Sequence, residues 1–230
     1  MRVLVITHHF WPENFKINDL VAGLLDKGHK VTILTGKPNY PEGYIYPEFK
    51  KTPKDYEKYR SAKIFRVPII SRGSTRIQLF LNYLSFLFSL SIFGTFMIRK
   101  KKFDCIIVFA VSPISVAIPA IIISKFKRIP VFLWVLDLWP ETLSAVGFNS
   151  KALLRFVHQI VNFIYKRSSM IFVPTKGAAT KIKKDYNLSR KVMFFPGWAE
   201  ELFNENKVGD PVISLNNNFF NIVFTGALGE

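Results

Sequence analysis

The chain has 230 residues, enough for one large domain or for one domain and the start of another. Hydrophobic residues make up 49% of it and aromatic residues 15%, which permits a sizeable core and excludes a disordered chain. Lys and Arg total 32 against 16 Asp and Glu, so the formal charge is +16 and favours an anionic partner: nucleic acid, acidic lipid or a phosphorylated ligand. Cys105 is the single cysteine, which excludes a disulfide within the chain and fits a reducing cytoplasm.

Short apolar runs alternate with helical patterns along most of the chain. The runs predict strands at 3–6, 31–34, 63–67, 105–109, 131–135, 170–173 and 192–195, and the helical patterns predict helices at 16–27, 113–126, 151–167 and 177–186. Continuous apolar strands separated by helices are typical of a parallel sheet covered on both faces. The sequence therefore predicts an α/β fold, a Rossmann-like doubly wound and mostly parallel sheet, with a ligand site beyond the carboxyl ends of its strands.

Two stretches depart from this alternation. Residues 35–61 are rich in Pro, Gly, Tyr and Lys and predict a long loop, of the kind that is functional or mobile. Residues 77–98 form an uncharged segment of 22 residues, long enough to span a bilayer.

The polar residues of segment 77–98 recur at helical spacing. Gln78, Asn82, Ser85 and Ser89 fall on one stripe of a bulky apolar helix. Such a helix suits half-immersion in lipid with Arg99 and the following lysines beside the headgroups, or burial against the sheet with the stripe facing water. A true membrane span is disfavoured, because it would split the alternating domain in two.

The first predicted strand leads into an aromatic and acidic loop, His8-His-Phe-Trp-Pro-Glu-Asn14. It lies at the carboxyl edge of the sheet and precedes a helix amino terminus, which favours anions. The alternative is a turn in which Phe10 and Trp11 pack inward while Glu13 and Asn14 cap the helix.

Two carboxylates four residues apart follow the predicted strand 131–135. Asp137 and Glu141, flanked by Trp134 and Trp139, could bind sugar hydroxyls by hydrogen bonding and ring stacking, or support acid–base chemistry. The alternative is that Asp137 caps the next helix and Glu141 lies in its first turn.

Pro174-Thr-Lys-Gly177 lies between a predicted strand and a helix. Thr175, Lys176 and Gly177 are an anion-binding helix entrance or an ordinary helix cap. Near the end of the chain, a strand at 221–225 runs into the turn that contains Gly226 and Gly229, typical of the opening of a nucleotide-binding unit.

Several chemistries are not indicated. The four histidines have no ligand-like spacing with carboxylates, and the sequence has no CxxC, HExxH, Walker A or GxSxG motif. No dinucleotide fingerprint follows the first strand, which disfavours an NAD(P) enzyme.

Six stretches match one family in register: 10–19 (FWPENFKIND), 28–36 (GHKVTILTG), 38–43 (PNYPEG), 81–86 (LNYLSF), 134–141 (WVLDLWPE) and 198–200 (WAE). With them the chain resembles, over residues 1–230, the GT-B-fold glycosyltransferases of family 4, and most closely the amino-terminal domain of the bacterial fucosamine-transferase-like branch. Two features depart from the pattern: Gly197 replaces a residue that is more often polar, and paired glycines are missing after the first strand.

The resemblance implies two facing Rossmann-like domains. Residues 1–196 would be the acceptor-side domain, 197–220 a linker, and 221–230 the first strand and glycine turn of a donor domain, the rest of which is missing here. It implies retaining transfer from a nucleotide sugar, a UDP-linked N-acetylated deoxyhexosamine, to a polyprenyl-diphosphate-linked saccharide in capsule, O-antigen or exopolysaccharide synthesis. No metal and no other cofactor is expected.

The resemblance also assigns site residues. Trp11, Pro12, Glu13 and Asn14 would line the cleft near donor phosphate and acceptor. Asp137 and Glu141 would be the acceptor-side polar residues and the catalytic candidates, and Gly226 and Gly229 would bind donor. From their positions after predicted strands, Trp139, Thr175, Lys176 and Gly177 are also expected to bind substrate.

The basic surplus then predicts a peripheral protein on the cytoplasmic face of the bacterial membrane, resting on anionic lipid through basic patches and helix 77–98. Nucleic acid is not an expected partner, because the basic residues form no recognition motif. The 230 residues are expected to be inactive alone. The alternative function is a non-catalytic protein that docks on membranes or binds the acceptor.

Overall fold

The computed structural model describes residues 1–198 and 218–222. A first compact unit comprises Met1–Gly197, and a second unit comprises Trp198–Glu230. The predicted linker and the donor-side turn fall almost wholly outside the described residues, and so do Gly226 and Gly229.

Eight strands form one sheet. They are β1 (Arg2–Thr7), β2 (Lys30–Thr35), β3 (Lys58–Tyr59), β4 (Ala62–Arg66), β5 (Cys105–Ala110), β6 (Val131–Val135), β7 (Met170–Val173) and β8 (Val192–Phe194). Their order is β3-β4-β2-β1-β5-β6-β7-β8, and every pair is parallel except β3 with β4. The predicted doubly wound, mostly parallel sheet is confirmed.

The helices occupy the connections between strands. They are α1 (Lys16–Asp26), α2 (Pro47–Lys51), α3 (Arg76–Ser89), α4 (Thr95–Met97), α5 (Ala117–Lys127), α6 (Glu141–Ala145), α7 (Lys151–Arg167) and α8 (Lys176–Tyr186). A π-helical turn, Leu90–Gly94, joins α3 to α4, and 3-10 turns occur at Pro53–Tyr56 and Ile114–Val116.

The central strand β1 is buried on both faces: Leu4, Val5 and Ile6 are all 0% exposed. Leu4 and Ile6 belong to a core that also contains side chains of α3, α5, α7 and α8. Burial of both faces explains why the strands are continuous apolar runs in sequence rather than alternating ones.

The prediction of a long loop at 35–61 is wrong in part. This stretch contains α2, a 3-10 turn and the two-residue strand β3, which pairs with β4 through a tight connection at Arg60. The segments are too short to show a periodic pattern, and Phe49, buried at 7% exposure, is what anchors α2.

The middle of the polar stripe of segment 77–98, at Asn82 and Ser85, faces the protein, whereas Gln78 at its amino-terminal end is exposed. Asn82 is 1% exposed and donates to the carbonyl of Ile70, while the hydroxyl of Ser85 accepts from the Ile70 N–H at 2.9 Å. Both side chains thus satisfy the irregular backbone between β4 and α3, which would otherwise lack partners. The alternative of a stripe exposed to water is therefore wrong for Asn82 and Ser85 and correct for Gln78.

Candidate active site

The sheet has one topological switch point. From β1 the chain proceeds to β2 and β4 on one side and returns to β5 on the other. In open α/β sheets the crevice beyond the carboxyl ends of such neighbouring strands is the usual ligand site. Here it is bordered by the residues that follow β1, beginning at His8, and by those that follow β5, including Ser112.

Glu13 organises the loop that follows β1. Its Oε2 accepts from the Phe10 N–H at 3.1 Å, and its Oε1 accepts from the N–H groups of Asn39 at 2.9 Å and Tyr40 at 2.8 Å. The same Oε1 lies 2.9 Å from Nδ1 of His9. The carboxylate therefore ties the loop after β1 to the loop after β2, and its side chain is not open to a ligand, since Glu13 is 2% exposed.

Two further residues hold this edge of the sheet together. Asn39 is fully buried, and its Oδ1 accepts from the Arg72 N–H at 3.0 Å, which connects the loop after β2 to that after β4. Arg66, the last residue of β4, donates to the carbonyls of Gly36 and Trp11. Burial lowers the pKa of the Arg66 guanidinium to about 10, and the nearby Glu13 carboxylate opposes that shift.

The prediction that Glu13 and Asn14 cap α1 is wrong. Phe15 occupies the N-cap position, and no side chain caps the helix there. Glu13 is instead committed to the loop contacts, and Asn14 is exposed. Phe10 packs inward as predicted, whereas Trp11 is half-buried beside Tyr56, with ring centroids 5.3 Å apart, and Pro12 is half-buried next to it.

His8 connects the loop to α3. Its ring stacks on Phe86 with centroids 4.3 Å apart and on His9 at 4.6 Å, and Tyr83 meets it edge-on at 5.6 Å. No hydrogen bond of normal geometry reaches either ring nitrogen among the described residues. Burial, followed by the charges of His9 and Arg72, lowers the pKa of His8 well below its ordinary value, so the imidazole is neutral near pH 7.

Asp137 has a partner that the sequence motifs did not indicate. The Ser112 hydroxyl donates to Oδ2 of Asp137 at 2.6 Å, which joins the loop after β5 to the loop after β6. Among the described residues, Ser112 is the hydrogen-bond partner of this carboxylate, and both residues are half-buried. Ser112 is the second residue after β5, and Asp137 is the second residue after β6. This equivalent position after two buried strands is the feature of the sequence that could have indicated the contact.

Asp137 and Glu141 do not act as a pair. Glu141 lies in the first turn of α6, as the alternative predicted, and forms an ion pair with Lys181 of α8 at 2.9 Å. Asp137 does not cap α6, because Pro140 occupies that position and no side chain caps the helix. Both partners of the Glu141 ion pair are well exposed, so it contributes little to stability.

The tryptophans differ in their accessibility. Trp134 is 2% exposed and packs against Phe109 and Phe195, so the prediction that it stacks on a sugar is wrong. Trp139 is half-buried against the core, and its carbonyl accepts from the Tyr186 hydroxyl. Trp139 is thus less buried than Trp134 and lies two residues from Asp137.

Thr175 is a helix cap. Its hydroxyl accepts from the Ala178 N–H at 3.1 Å at the start of α8. Lys176 lies over the ring of Phe194, with 6.0 Å from Nζ to the centroid. A Cβ at Gly177 would meet nothing within 4 Å, so the protein itself imposes no need for glycine there. The capping interpretation is confirmed, and a substrate role for these residues stays a prediction.

The part of the chain that the structure describes contains no group of three His, Cys, Asp or Glu side chains able to hold a metal ion. The expectation of metal-independent chemistry stays a prediction.

Sequence comparison settles the family. The model of Glycosyltransferase Family 4 matches residues 17–197, which is most of the chain. The chain belongs to Glycosyltransferase Family 4. The matched range includes the loop after β2, Arg66, α3, Ser112, Asp137 and the start of α8. A search of curated proteins found no significant match.

Solved structures confirm the fold of this family 4 chain. Sucrose-phosphate synthase from Thermosynechococcus elongatus is 11% identical, with a TM-score of 0.56 over 85% of this chain and 47% of that one. The glycosyltransferase of kitacinnamycin is 10% identical, with a TM-score of 0.54 over 92% of this chain and 55% of that one. UDP-GlcNAc 2-epimerase from Methanocaldococcus jannaschii is 14% identical, with a TM-score of 0.51 over 84% of this chain and 45% of that one.

The family 4 chain thus spans about half the length of the solved structures that it matches. Because an epimerase, a sucrose-phosphate synthase and a glycosyltransferase share the fold, the fold alone does not decide the reaction. Membership of the family is therefore the finding from which a function is proposed.

Proposed function

We propose that this chain provides the acceptor side of a retaining glycosyltransferase of the fucosamine-transferase-like branch. The donor is a UDP-linked N-acetylated deoxyhexosamine, and the acceptor is a polyprenyl-diphosphate-linked saccharide in bacterial capsule, O-antigen or exopolysaccharide synthesis. The observation that carries the proposal is the family match over residues 17–197, supported by the six stretches that resemble this branch. Transfer takes place at the cytoplasmic face of the membrane, where the polyprenyl chain of the acceptor remains in the bilayer.

The pair Ser112–Asp137 suits recognition of an acceptor hydroxyl. Because Ser112 donates to Oδ2, the carboxylate is held in one orientation, and Oδ1 is available to accept a hydrogen bond from a sugar. The half-buried Trp139 lies two residues from Asp137 in the sequence, and its indole is the aromatic group that we propose to contact a sugar ring. We assign Asp137 as an acceptor-binding residue and assign no general base.

Glu13 and Asn39 act as positioning residues in this proposal. They join the loops after β1, β2 and β4 into one buried network, so that Trp11, Pro12 and Asn14 are presented at a defined place on the edge of the sheet. Pre-arranged loops reduce the ordering that substrate binding would otherwise require.

The donor-side apparatus is part of the same proposal. A diphosphate leaving group is stabilised by backbone N–H groups and basic side chains, and no metal or other cofactor takes part. Because the chain spans about half the length of the matched structures, we propose that the 230 residues alone bind acceptor with little or no turnover.

The test compares two polypeptides: the 230-residue chain and the chain extended through whatever follows Glu230 in its reading frame. Each is incubated with a panel of UDP-sugars and a synthetic polyprenyl-diphosphate saccharide, and products are identified by mass. Transfer by the extended polypeptide alone supports the proposal. Turnover by the 230 residues refutes their proposed inactivity, and transfer to a soluble sugar in preference to the lipid-linked acceptor refutes the proposed acceptor.

A further inference from the structure

Segment 76–97 exposes large apolar side chains along its outer side. The inner side consists of Asn82, Phe86, Leu90 and Gly94, which recur every four residues and are buried. Eight other large apolar side chains of the segment are 39% to 74% exposed: Ile77, Phe80, Leu81, Phe88, Ile92, Phe93, Phe96 and Met97. A group of large apolar side chains exposed on one segment of a folded domain is typical of an interaction site.

A second element contributes to the same surface. Phe126, in the last turn of α5, is 75% exposed. It lines a cleft of about 300 Å³ together with Thr95, Arg99, Ile123 and Lys127, so it lies beside α4. We call the outward apolar side chains of segment 76–97 together with Phe126 the docking face.

Basic residues frame the docking face where these elements meet. The Arg99 guanidinium lies over the Phe96 ring, 3.7 Å from its centroid. The Lys127 ammonium donates to the carbonyl of Lys101 at 2.7 Å, which holds the run from Arg99 to Lys102 against the end of α5. Lys100, Lys102, Lys125 and Arg128 are exposed around it, and Arg76 is exposed at the other end of α3.

The topology decides how such a helix can meet a bilayer. By length and composition alone, Arg76–Met97 is long and apolar enough to cross a membrane, with a mean hydropathy of 1.6. However, β4 before it and β5 after it lie in the same sheet, and its inner side packs into the core of that domain. A crossing would place β4 and β5 on opposite sides of the bilayer, so the helix can only lie along the surface.

We propose that the docking face inserts into the headgroup region of an anionic lipid bilayer, with segment 76–97 parallel to the membrane plane. Apolar side chains enter the acyl boundary, and the basic frame binds lipid phosphates, with Arg99 and Lys127 both lining the cleft beside Phe126. A second copy of this chain is the less favourable occupant, because it would bring two sets of these cations together. The inference does not depend on the donor or acceptor of the proposed function.

The test is flotation of the purified chain with vesicles of phosphatidylcholine alone or mixed with phosphatidylglycerol. We expect binding to the mixed vesicles and weak binding to the neutral ones. The double variant Phe96→Ser/Phe126→Ser should lower the partition coefficient by about tenfold or more, because two large side chains no longer enter the lipid. The variant Lys100→Gln/Lys102→Gln should lower it by about fivefold per charge removed, on anionic vesicles only.

The matched control is Phe156→Ser. Phe156 is 59% exposed on α7, beside the basic Arg155, and lies outside the docking face, so its loss should leave the partition coefficient unchanged. An equal loss in the control and the double variant would overturn the proposal, as would equal binding to both vesicle types. Resistance to extraction by alkaline carbonate would indicate a span and also overturn it. A concentration-dependent dimer that disappears in Phe96→Ser/Phe126→Ser, without vesicle binding by the original chain, would assign the face to a second copy instead.

Discussion

Nδ1 of His9 lies 2.9 Å from Oε1 of Glu13, and both side chains are almost fully shielded from solvent. Because the same Oε1 accepts from the N–H groups of Asn39 and Tyr40, it acts as an acceptor towards His9, and the ring proton resides on Nδ1. A buried carboxylate with this many donors is a structural centre for the loops around the switch point.

Replacing Glu13 should therefore destabilise the whole edge of the sheet. In Glu13→Gln the amide presents N–H groups where the native carboxylate accepts, so at least one buried donor is left without an acceptor. We expect the free energy of unfolding to fall by about 1–3 kcal/mol in urea titrations. Glu48→Gln, at an exposed position of α2, is the control and should change it by less than about 0.5 kcal/mol. A similar small effect of both variants would contradict the role given to Glu13.

His8 should make stability depend on pH. Its folded pKa is lowered well below the ordinary 6.5, so in acid the unfolded chain takes up a proton that the folded chain does not. The free energy of unfolding is thus expected to decrease as pH falls below about 6.5, by up to ~1.4 kcal/mol per pH unit, until the folded pKa is reached. In His8→Phe this part of the slope should disappear, whereas His158→Phe, at an exposed position, should retain it. An unchanged slope in His8→Phe would assign it to another group.

Neutralising the carboxylate of Asp137 should impair glycosyl transfer more than neutralising the carboxylate of Glu141. In the extended polypeptide, Asp137→Asn is expected to lower kcat/KM by on the order of a hundredfold, and Ser112→Ala by about tenfold through lost orientation of Asp137. Glu141→Gln disrupts an exposed ion pair and should have less than about a threefold effect. Initial rates at low acceptor concentration measure all three, and equal losses for Asp137→Asn and Glu141→Gln would refute this assignment.

The start of α8 allows capping to be separated from substrate binding. Thr175→Ala removes the cap and should cost about 1 kcal/mol of stability, whereas Gly177→Ala, with free space for its Cβ, should stabilise α8 by about 0.5–1 kcal/mol. Thermal unfolding measures both changes. If Gly177→Ala folds more stably yet loses transfer activity in the extended polypeptide, then backbone approach of a substrate, rather than helix geometry, requires glycine there.

Much of the fold was accessible from the sequence because burial on both faces of a parallel sheet leaves a continuous apolar run for each strand. The predicted strands at 131–135 and 170–173 coincide with β6 and β7, and Gly28 ends the first helical connection with φ of +76°, a conformation that favours glycine. Family membership was likewise accessible, because it is carried by short stretches whose order along the chain is independent of folding.

The candidate site could not be predicted in the same way, because its contacts join residues that are far apart in the sequence. Glu13 occupies a position from which either capping or ligand binding was plausible, and only the approach of Asn39 and Tyr40 from the next loop decides that it is buried. Ser112 lies 25 residues from Asp137, and it becomes a partner because β5 and β6 are neighbours in the sheet.

The sequence by itself determined the alternating α/β pattern, the basic surplus, and the presence of a long apolar helix with a polar stripe. Only the tertiary structure decided which side of that helix packs against the rest of the protein. Helical periodicity establishes that Asn82 and Ser85 share a side, but it does not say what that side meets. The irregular backbone at Ile70 supplies polar partners inside the protein, so Asn82 and Ser85 point inward and the apolar side chains of the docking face remain outside.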